Sequence, residues 1–220
     1  MMSVSLFHND FCVFIATGSL AYLLGSIPFG PILTKLAGLG DLRHIGSGNT
    51  GATNVLRTGH KSLAAATLVL DAAKGSVAVL LIPIIFPHLS LQTAVIAAFF
   101  AVFGHCYPVF LEFHGGKGVA TGLGTILALS PITGILGCVL WLCAARFTHI
   151  SSVGALSAFT LMPIIACINF FIKDGLSFHQ AFIPITTFLI SSLVIARHRG
   201  NITRLLSGKE PKIGMSKQNL

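Results

Sequence analysis

The sequence predicts an all-α protein that crosses a membrane as a polytopic bundle of about seven helices. Three observations support this fold class. Of the 220 residues, 54% are hydrophobic and only 9% are charged, whereas soluble domains carry about 25% charged residues. Apolar runs near the length of about 20 residues that a spanning helix needs recur along the whole chain. Basic residues collect in alternate connections between these runs, which is typical of cytoplasmic loops.

The apolar runs define the predicted spans. A long apolar stretch in the middle of the chain is interrupted at Ser130-Pro131, and a proline breaks a helix locally. We therefore expect two short spans there instead of one long one. The spans are placed at about 11–34, 63–86, 92–111, 118–130, 131–146, 150–172 and 180–197.

The distribution of cations predicts the orientation. Twelve of the 14 Lys and Arg residues lie in the connections that follow the first, third, fifth and seventh spans. Because cytoplasmic loops retain Lys and Arg, the N-terminus is expected outside and the C-terminus in the cytoplasm. The net charge of +8 is thus explained by topology, and no nucleic-acid partner is expected. We expect one integral-membrane domain over residues 1–220, with residues 209–220 as a loose cytoplasmic tail.

The first polar loop contains "GSGNTGATNVLRTG". Its glycines match the dinucleotide fingerprint G-x-G-x-x-G, but no apolar strand precedes them and a membrane span follows, so that interpretation is rejected. The run combines backbone, hydroxyl and amide groups with an arginine, which can grip a phosphate with a two-pronged fork. It therefore predicts an anion site; an ordinary polar turn is the alternative. The candidate binding residues are Gly46, Ser47, Gly48, Asn49, Asn54 and Arg57.

The second polar loop contains "FHGGKGVAT". A Walker A loop needs a glycine five residues before the Gly of the Gly-Lys pair and Ser or Thr after the lysine, but Leu111 and Gly118 occupy these positions. A glycine loop that opens a helix can still bind an anion through backbone N–H groups. We expect those of Gly116, Gly118 and Val119 to point along the start of the next helix; a helix-breaking turn is the alternative. The candidates are Gly115, Gly116, Lys117 and Gly118.

The third polar loop is "RHRGNITRLLSGKE". His198, Asn201 and Arg204 recur at i, i+3 and i+6, so a helix would place them on one face. His198 is a candidate general base or phosphate ligand. The alternative is a basic stretch that contacts anionic lipid.

Three ionisable residues lie inside predicted spans, namely Asp71, Lys74 and His105. Intramembrane charges are costly and pair with one another or face a polar interior. We expect these residues to support the site structurally. The alternatives are direct substrate contact for Asp71 and Lys74 and catalysis for His105.

Taken together, the three loops and the segment "DAAKG" at Asp71–Gly75 resemble the motifs of the bacterial acyl-phosphate glycerol-3-phosphate acyltransferases, the PlsY family. The second family motif resembles the whole stretch "GHCYPVFLEFHGGKGVAT". The resemblance covers nearly the whole chain in the same order. It implies transfer of an acyl group from acyl phosphate to the 1-hydroxyl of glycerol 3-phosphate, which yields lysophosphatidate and phosphate in the first acylation of phospholipid synthesis.

The resemblance also implies roles for individual residues. Ser47, Arg57, His198 and Asn201 would be catalytic. Gly115, Gly116 and Gly118 would bind phosphate beside Lys117. Arg204 and Glu210 are expected to support the site, the latter because it falls on a family glutamate regarded as structural.

The chemistry fits these residues. Acyl phosphate is already activated, so no serine or cysteine nucleophile, cofactor or metal is expected. The partners implied are the two substrates, membrane lipid and the enzyme that makes acyl phosphate. The expected location is the bacterial inner membrane, with the site facing the cytoplasm.

Two other functions fit the sequence less well. A transporter of organic phosphate would favour a midplane site and internal repeats, whereas the polar groups here cluster on one face. The H-x-x-x-x-D acyltransferase chemistry has no matching His–Asp spacing in this chain. The identity of the base stays open, since either His198 or the phosphate of the acyl phosphate can take the proton.

Overall fold

The computed structural model describes residues 2–173 and 180–213. Within these ranges the regular structure is entirely helical, which confirms the predicted fold class. Short 3₁₀ turns lie at Leu42–His44, Pro87–Leu89 and Val109–Leu111. The α-helices are α1 (Met2–Ser26), α2 (Phe29–Leu36), α3 (Ala52–Leu56), α4 (Lys61–Ile85), α5 (Ser90–Cys106), α6 (Val119–Leu129), α7 (Pro131–Thr148), α8 (Ser151–Lys173), α9 (Phe182–Arg197) and α10 (Arg199–Leu206).

In the part of the chain that the structure describes, five segments are long and apolar enough to cross a membrane, and two shorter apolar helices accompany them. This matches a bundle of about seven membrane helices, two of them short. The break at Pro131 is confirmed, because α6 ends at Leu129 and α7 begins at Pro131. The assignment of the short helices was partly wrong: α7 has 18 residues, whereas the last membrane helix, α9, has 16.

The first predicted span is not one continuous helix. It was placed at 11–34, but α1 ends at Ser26 and α2 begins at Phe29. Pro28 breaks the helix, since a proline lacks the N–H and disfavours helical geometry in the residue before it. The carbonyl left free by the break is used, because Lys74 Nζ on α4 donates to the Ile27 oxygen over 2.7 Å.

Close helix contacts at small residues hold the bundle together. α6 packs against α4, α5, α7 and α9, and α1 lies along α5. A Cβ atom built on Gly124 would lie 2.1 Å from the Ala72 oxygen, so α6 and α4 approach as closely as their backbones allow. The short helix α6 is therefore enclosed by other helices, and it presents its N-terminus to the site.

The polar connections meet at one end of the bundle. A single cavity there is lined by residues of the connection before α4, the start of α6, the start of α8 and the segment from His198 onward. The convergence predicted for the three polar loops is thus seen in the structure.

The segment after α10 departs from the expected loose tail over its first residues. The Lys209 N–H donates to the Arg204 oxygen over 2.8 Å, and the Ile213 N–H donates to the His149 oxygen over 2.7 Å. These bonds return residues 209–213 to the start of α8. Residues 214–220 of the predicted tail lie outside the described residues.

The orientation in the membrane is a prediction that thiol labelling can check. In a cysteine-free background, Thr58→Cys and Lys209→Cys should resist a membrane-impermeant maleimide in spheroplasts, because both lie at the basic end. His88→Cys is the matched control, since it is exposed in the connection at the opposite end, and it should react. Labelling of residue 58 or 209 from outside, with residue 88 protected, would reverse the orientation.

Candidate active site

The cavity at the basic end has a volume of about 520 Å³. It collects most of the residues that the sequence singled out, and four of them lie outside its lining: Gly48, Lys74, Gly115 and Gly116. Those that line it are Gly46, Ser47, Asn49, Asn54, Arg57, Asp71, His105, Lys117, Gly118, His198, Asn201, Arg204 and Glu210.

Arg57 and Lys117 give the cavity its charge. Both are half-buried, and neither side chain forms a hydrogen bond or an ion pair with the described residues; their interactions with charged groups act at longer range. The two carboxylates that line the cavity are already paired, Asp71 with Lys74 at 2.8 Å and Glu210 with Arg204 at 2.7 Å. Two half-buried cations without a carboxylate partner make an anion site.

Burial also changes how these cations titrate. The pKa of Lys117 is lowered to about 8, chiefly by burial; the charge of Glu210 opposes this decrease, and the charges of Arg204, Arg57 and Arg197 contribute to it. Burial likewise lowers the pKa of Arg57, but a guanidinium stays charged at any physiological pH. An anion bound between the two side chains would favour the charged form of Lys117 and so raise its pKa again.

Asn54 organises the first polar loop from the inside. Its Oδ1 accepts from the Ser47 N–H at 3.0 Å and the Ser47 hydroxyl at 3.3 Å. Its Nδ2 donates to the Leu42 and Ile45 oxygens at 3.1 and 2.9 Å. The side chain is 2% exposed and its donors are used within the loop. Asn54 was predicted to bind substrate, but its bonds indicate that it shapes the loop around Ser47.

Glycine is required at Gly46 for two reasons. Its φ of +53° lies in the left-handed region, and a Cβ would meet Asn54 Oδ1 at 2.5 Å and Arg57 Cδ at 2.8 Å. The loop therefore folds tightly over the arginine. Asn49 closes a further turn, since its Oδ1 accepts from the Gly51 N–H at 3.0 Å.

The glycine-lysine loop is held from behind. The Gly116 N–H donates to the His105 oxygen at 3.0 Å, so this N–H is used within the fold. The N–H groups of Lys117 and Gly118 have no acceptor among the described residues, and they remain available. Gly118 takes a φ of +81° and directly precedes α6 as its N-cap, which leaves the N-terminus of that helix at the cavity.

Arg197 is a residue whose role was missed from the sequence. Its Nε and Nη2 donate to the Gly116 and Gly115 oxygens, each over 3.2 Å, and its guanidinium carbon lies 4.9 Å from the centroid of the Tyr107 ring, in a cation–π contact. The sequence indicates only that Arg197 is one of the basic residues that set the topology. A lone arginine at the end of an apolar span gives no signal of contacts some 80 residues away.

His198 is buried and neutral. It is 2% exposed, and its Nδ1 lies 2.8 Å from the Val194 oxygen. Because a carbonyl can only accept, Nδ1 carries the proton and Nε2 carries the lone pair. Burial lowers the pKa of His198 to about 4, a direction that the charges of Lys117 and Arg197 reinforce. At neutral pH the ring can thus accept a hydrogen bond, but it is a weak base.

Glu210 ties α10 to α8. It accepts from the Ser152 hydroxyl at 2.7 Å, from Arg204 Nε at 2.7 Å and from Asn201 Nδ2 at 2.5 Å. Burial raises its pKa, but these hydrogen bonds outweigh that effect and the net change is a decrease. An ionised Glu210 therefore orients the Asn201 amide, which agrees with the support predicted for Glu210 and Arg204. Ser152, at the start of α8, was missed.

Asp71, Lys74 and His105 form a buried cluster behind the site. Asp71 Oδ1 lies 2.8 Å from Lys74 Nζ and 3.6 Å from His105 Nδ1. The other ring nitrogen of His105 lies against Gly116, where a Cβ would come within 2.0 Å of it. The cluster connects the first helix break to the glycine-lysine loop, which fits the supporting role predicted for it.

Part of the cavity lining is apolar. Trp141 of α7 lines the cavity, and among the described residues its indole N–H has no acceptor. Further apolar lining comes from α4, α6 and α8: Leu68, Val119, Ala120 and Ala155. The polar segments add Ile45, Ala52, Pro211 and Ile213. A ligand with an anionic head and an apolar tail would match this mixed lining.

The chain is similar to known acyltransferases. A family model described as glycerol-3-phosphate acyltransferase matches residues 15–208. A glycerol-3-phosphate acyltransferase of Gluconobacter oxydans is 54% identical over 193 residues, which cover 88% of this chain and 90% of that protein. One of Dinoroseobacter shibae is 50% identical and covers 91% and 93%.

A solved structure is also similar. The crystal structure of PlsY (YgiH), an integral membrane glycerol 3-phosphate acyltransferase, in its glycerol 3-phosphate form shares 36% identity with this chain at a TM-score of 0.78. The match covers 91% of this chain and 96% of that one.

Gly116→Ala should lower the thermal stability of the protein as well as its activity, because the new methyl group collides with the His105 ring. Overpacking of this kind costs about 1–3 kcal/mol. The measurement is the Tm in detergent. Gly200→Ala is the matched control: its Cβ would meet the Arg204 side chain at an ordinary 3.4 Å, and its Tm should be unchanged or slightly higher. An unchanged Tm for Gly116→Ala would mean that the loop is not packed on His105.

Proposed function

The chain belongs to the glycerol-3-phosphate acyltransferase family, and we propose that it transfers an acyl group from acyl phosphate to the 1-hydroxyl of glycerol 3-phosphate. The products are lysophosphatidate and phosphate, and the reaction is the first acylation of phospholipid synthesis. The observation that carries this proposal is the pair of half-buried cations, Arg57 and Lys117, which have no carboxylate partner among the described residues and line a cavity with both polar and apolar walls.

The two cations account for the two anionic groups that the reaction brings together. Arg57 offers a planar fork that matches phosphate oxygens, with Ser47 beside it in the same loop. Lys117 supplies a point charge next to free N–H groups at the start of α6. These groups bind and orient the phosphates of the donor and the acceptor.

The reaction needs no covalent enzyme intermediate. The 1-hydroxyl oxygen attacks the acyl carbon, the bond from that carbon to the phosphate oxygen breaks, and the hydroxyl proton passes to the departing phosphate. Positioning of two reactants alone lowers the barrier by several kcal/mol. His198 accepts a hydrogen bond from the hydroxyl through Nε2, and Asn201, fixed by Glu210, positions the substrates beside it.

The apolar lining residues of α4, α6, α7 and α8 contact the acyl tail in this proposal. The fatty acyl chain then passes between these helices into the lipid. In this proposal the site faces the cytoplasm of the bacterial inner membrane, where a second enzyme supplies acyl phosphate.

The donor is tested with purified protein, glycerol 3-phosphate and three acyl donors. Acyl phosphate should yield lysophosphatidate and one equivalent of phosphate, with EDTA present or absent. Acyl-CoA and acyl-carrier protein serve as alternative donors, and Arg57→Ala is the inactive control, since its phosphate fork is lost. Turnover with acyl-CoA alone, or loss of turnover in EDTA, would contradict the proposal.

The KM for glycerol 3-phosphate should rise above pH 8. Burial lowers the pKa of Lys117 to about 8, so the ammonium is charged below that pH and loses its charge as the pH rises through it. One pH unit beyond the pKa leaves about a tenth of the lysines charged, and the KM should rise about tenfold between pH 7 and pH 9. Lys117→Arg is the control: its KM should be flat over this range, because guanidinium does not titrate there.

His198→Gln should keep appreciable turnover and the wild-type pH profile, whereas His198→Ala loses most activity. A ring whose pKa is lowered to about 4 acts through its hydrogen bonds, and glutamine can still donate and accept. The measurement is kcat/KM between pH 5 and 8, which reports ionisations of the free enzyme and substrates. A limb near pH 6 from the substrate phosphates should be present in both proteins. An acidic limb that the Gln variant lacks would identify His198 as the base.

A further inference from the structure

We infer that Arg197 is a positioning residue for phosphate binding, which clamps the Gly115–Gly118 loop so that Lys117 and the start of α6 face the cavity. The inference rests on the proposed function only in that the ligand is the phosphate of glycerol 3-phosphate. No chemical step passes through Arg197.

The clamp consists of two hydrogen bonds and a cation–π contact. Nε and Nη2 of Arg197 donate to the adjacent oxygens of Gly116 and Gly115, each over 3.2 Å. The guanidinium carbon lies over the Tyr107 ring, 4.9 Å from its centroid, in a cation–π contact. The arginine fork can bond two neighbouring carbonyls while it makes such a contact, which a lysine ammonium cannot reproduce.

The clamp is anchored on both sides. Arg197 is the last residue of α9, and the Tyr22 hydroxyl of α1 donates to the Tyr107 oxygen over 2.9 Å. Behind the loop, the Gly116 N–H donates to the His105 oxygen over 3.0 Å. The loop is thus fixed between α9 on one face and the end of α5 on the other.

The loop needs such a clamp because of its composition. Three glycines surround Lys117, and glycine loses more conformational freedom on ordering than any other residue. With the Gly115 and Gly116 oxygens fixed by Arg197, the N–H groups of Lys117 and Gly118 stay without an acceptor among the described residues. These are the groups left to meet an anion.

Arg197 acts through the loop and not on the ligand. It does not line the cavity, whereas Arg57, Lys117 and Arg204 do. Two of its donors are already committed to the loop carbonyls. A direct phosphate ligand would instead present its fork to the cavity, as Arg57 does.

The test compares Arg197→Gln and Arg197→Lys with Arg146→Gln, an exposed arginine at the end of α7 that serves as the control. We expect Arg197→Gln to raise the KM for glycerol 3-phosphate, and its Kd by calorimetry, about tenfold, with a smaller effect on kcat. Arg197→Lys should lie between it and the wild type, because lysine keeps the charge and one or two donors but loses the fork. Arg146→Gln should keep wild-type values.

The pH at which the KM rises is a second measurement, because a general loss of folding would not shift it. The charged and titratable groups around Lys117 are Glu210, Arg204, Arg57, Arg197 and His198. In Arg197→Gln one of these cations is lost and the released loop admits water, so the alkaline rise in KM should move to higher pH. Wild-type KM and an unmoved alkaline limb in Arg197→Gln would overturn the inference.

Two further outcomes are separable. If Arg197→Gln does not purify as folded protein, Arg197→Lys decides: a wild-type KM and Kd there would overturn the clamp. Calorimetric binding of glycerol 3-phosphate requires no acyl donor. A wild-type protein that binds glycerol 3-phosphate but does not turn over acyl phosphate would contradict the proposed donor and leave the clamp to be judged on binding.

Discussion

The buried ion pair between Asp71 and Lys74 is the interaction on which the rest of the site depends. Lys74 also donates to the carbonyl freed by the break between α1 and α2, and Asp71 also contacts His105 on α5. An unpaired charge in this position would cost several kcal/mol, so the three helices are held in one register. His105 links these helices to the glycine-lysine loop, because its backbone oxygen accepts a hydrogen bond from the Gly116 N–H.

The charges at the cavity are arranged so that the cations without a partner are the ones a ligand can reach. Asp71 is paired with Lys74, and Glu210 with Arg204, Asn201 and Ser152. Among the described residues, Arg57 and Lys117 are left without a carboxylate partner, and a bound anion would offset the cost of burying their charges. Because both carboxylates are already paired elsewhere, neither forms an ion pair with these two cations.

The sequence predicted composition-driven features well and contact-driven ones poorly. Hydropathy and the position of basic residues were enough for the membrane bundle, the break at Pro131 and the convergence of the three loops. Asn54 was predicted to bind substrate, because the sequence of a glycine-rich loop does not show whether an amide side chain bonds a ligand or the loop backbone. The clamp by Arg197 joins groups some 80 residues apart, and no local pattern records such a contact. The role of Gly116 was likewise hidden, since its neighbour is the His105 ring.

In the proposed function, the short helix α6 explains how one site binds a phosphate and a lipid tail. From their common turn near Ser130, α6 with 11 residues rises about 16 Å and α7 with 18 residues about 27 Å. The N-terminus of α6 therefore stops roughly 10 Å short of the end of α7. The turn itself is buried and satisfied, with Ser130 bonded to Thr133 and Asn169, as irregular backbone at membrane depth requires. Lys117 thus lies below the end of the bundle, close to the apolar side chains of α6 and α7, where an anionic head and an acyl chain can be bound together.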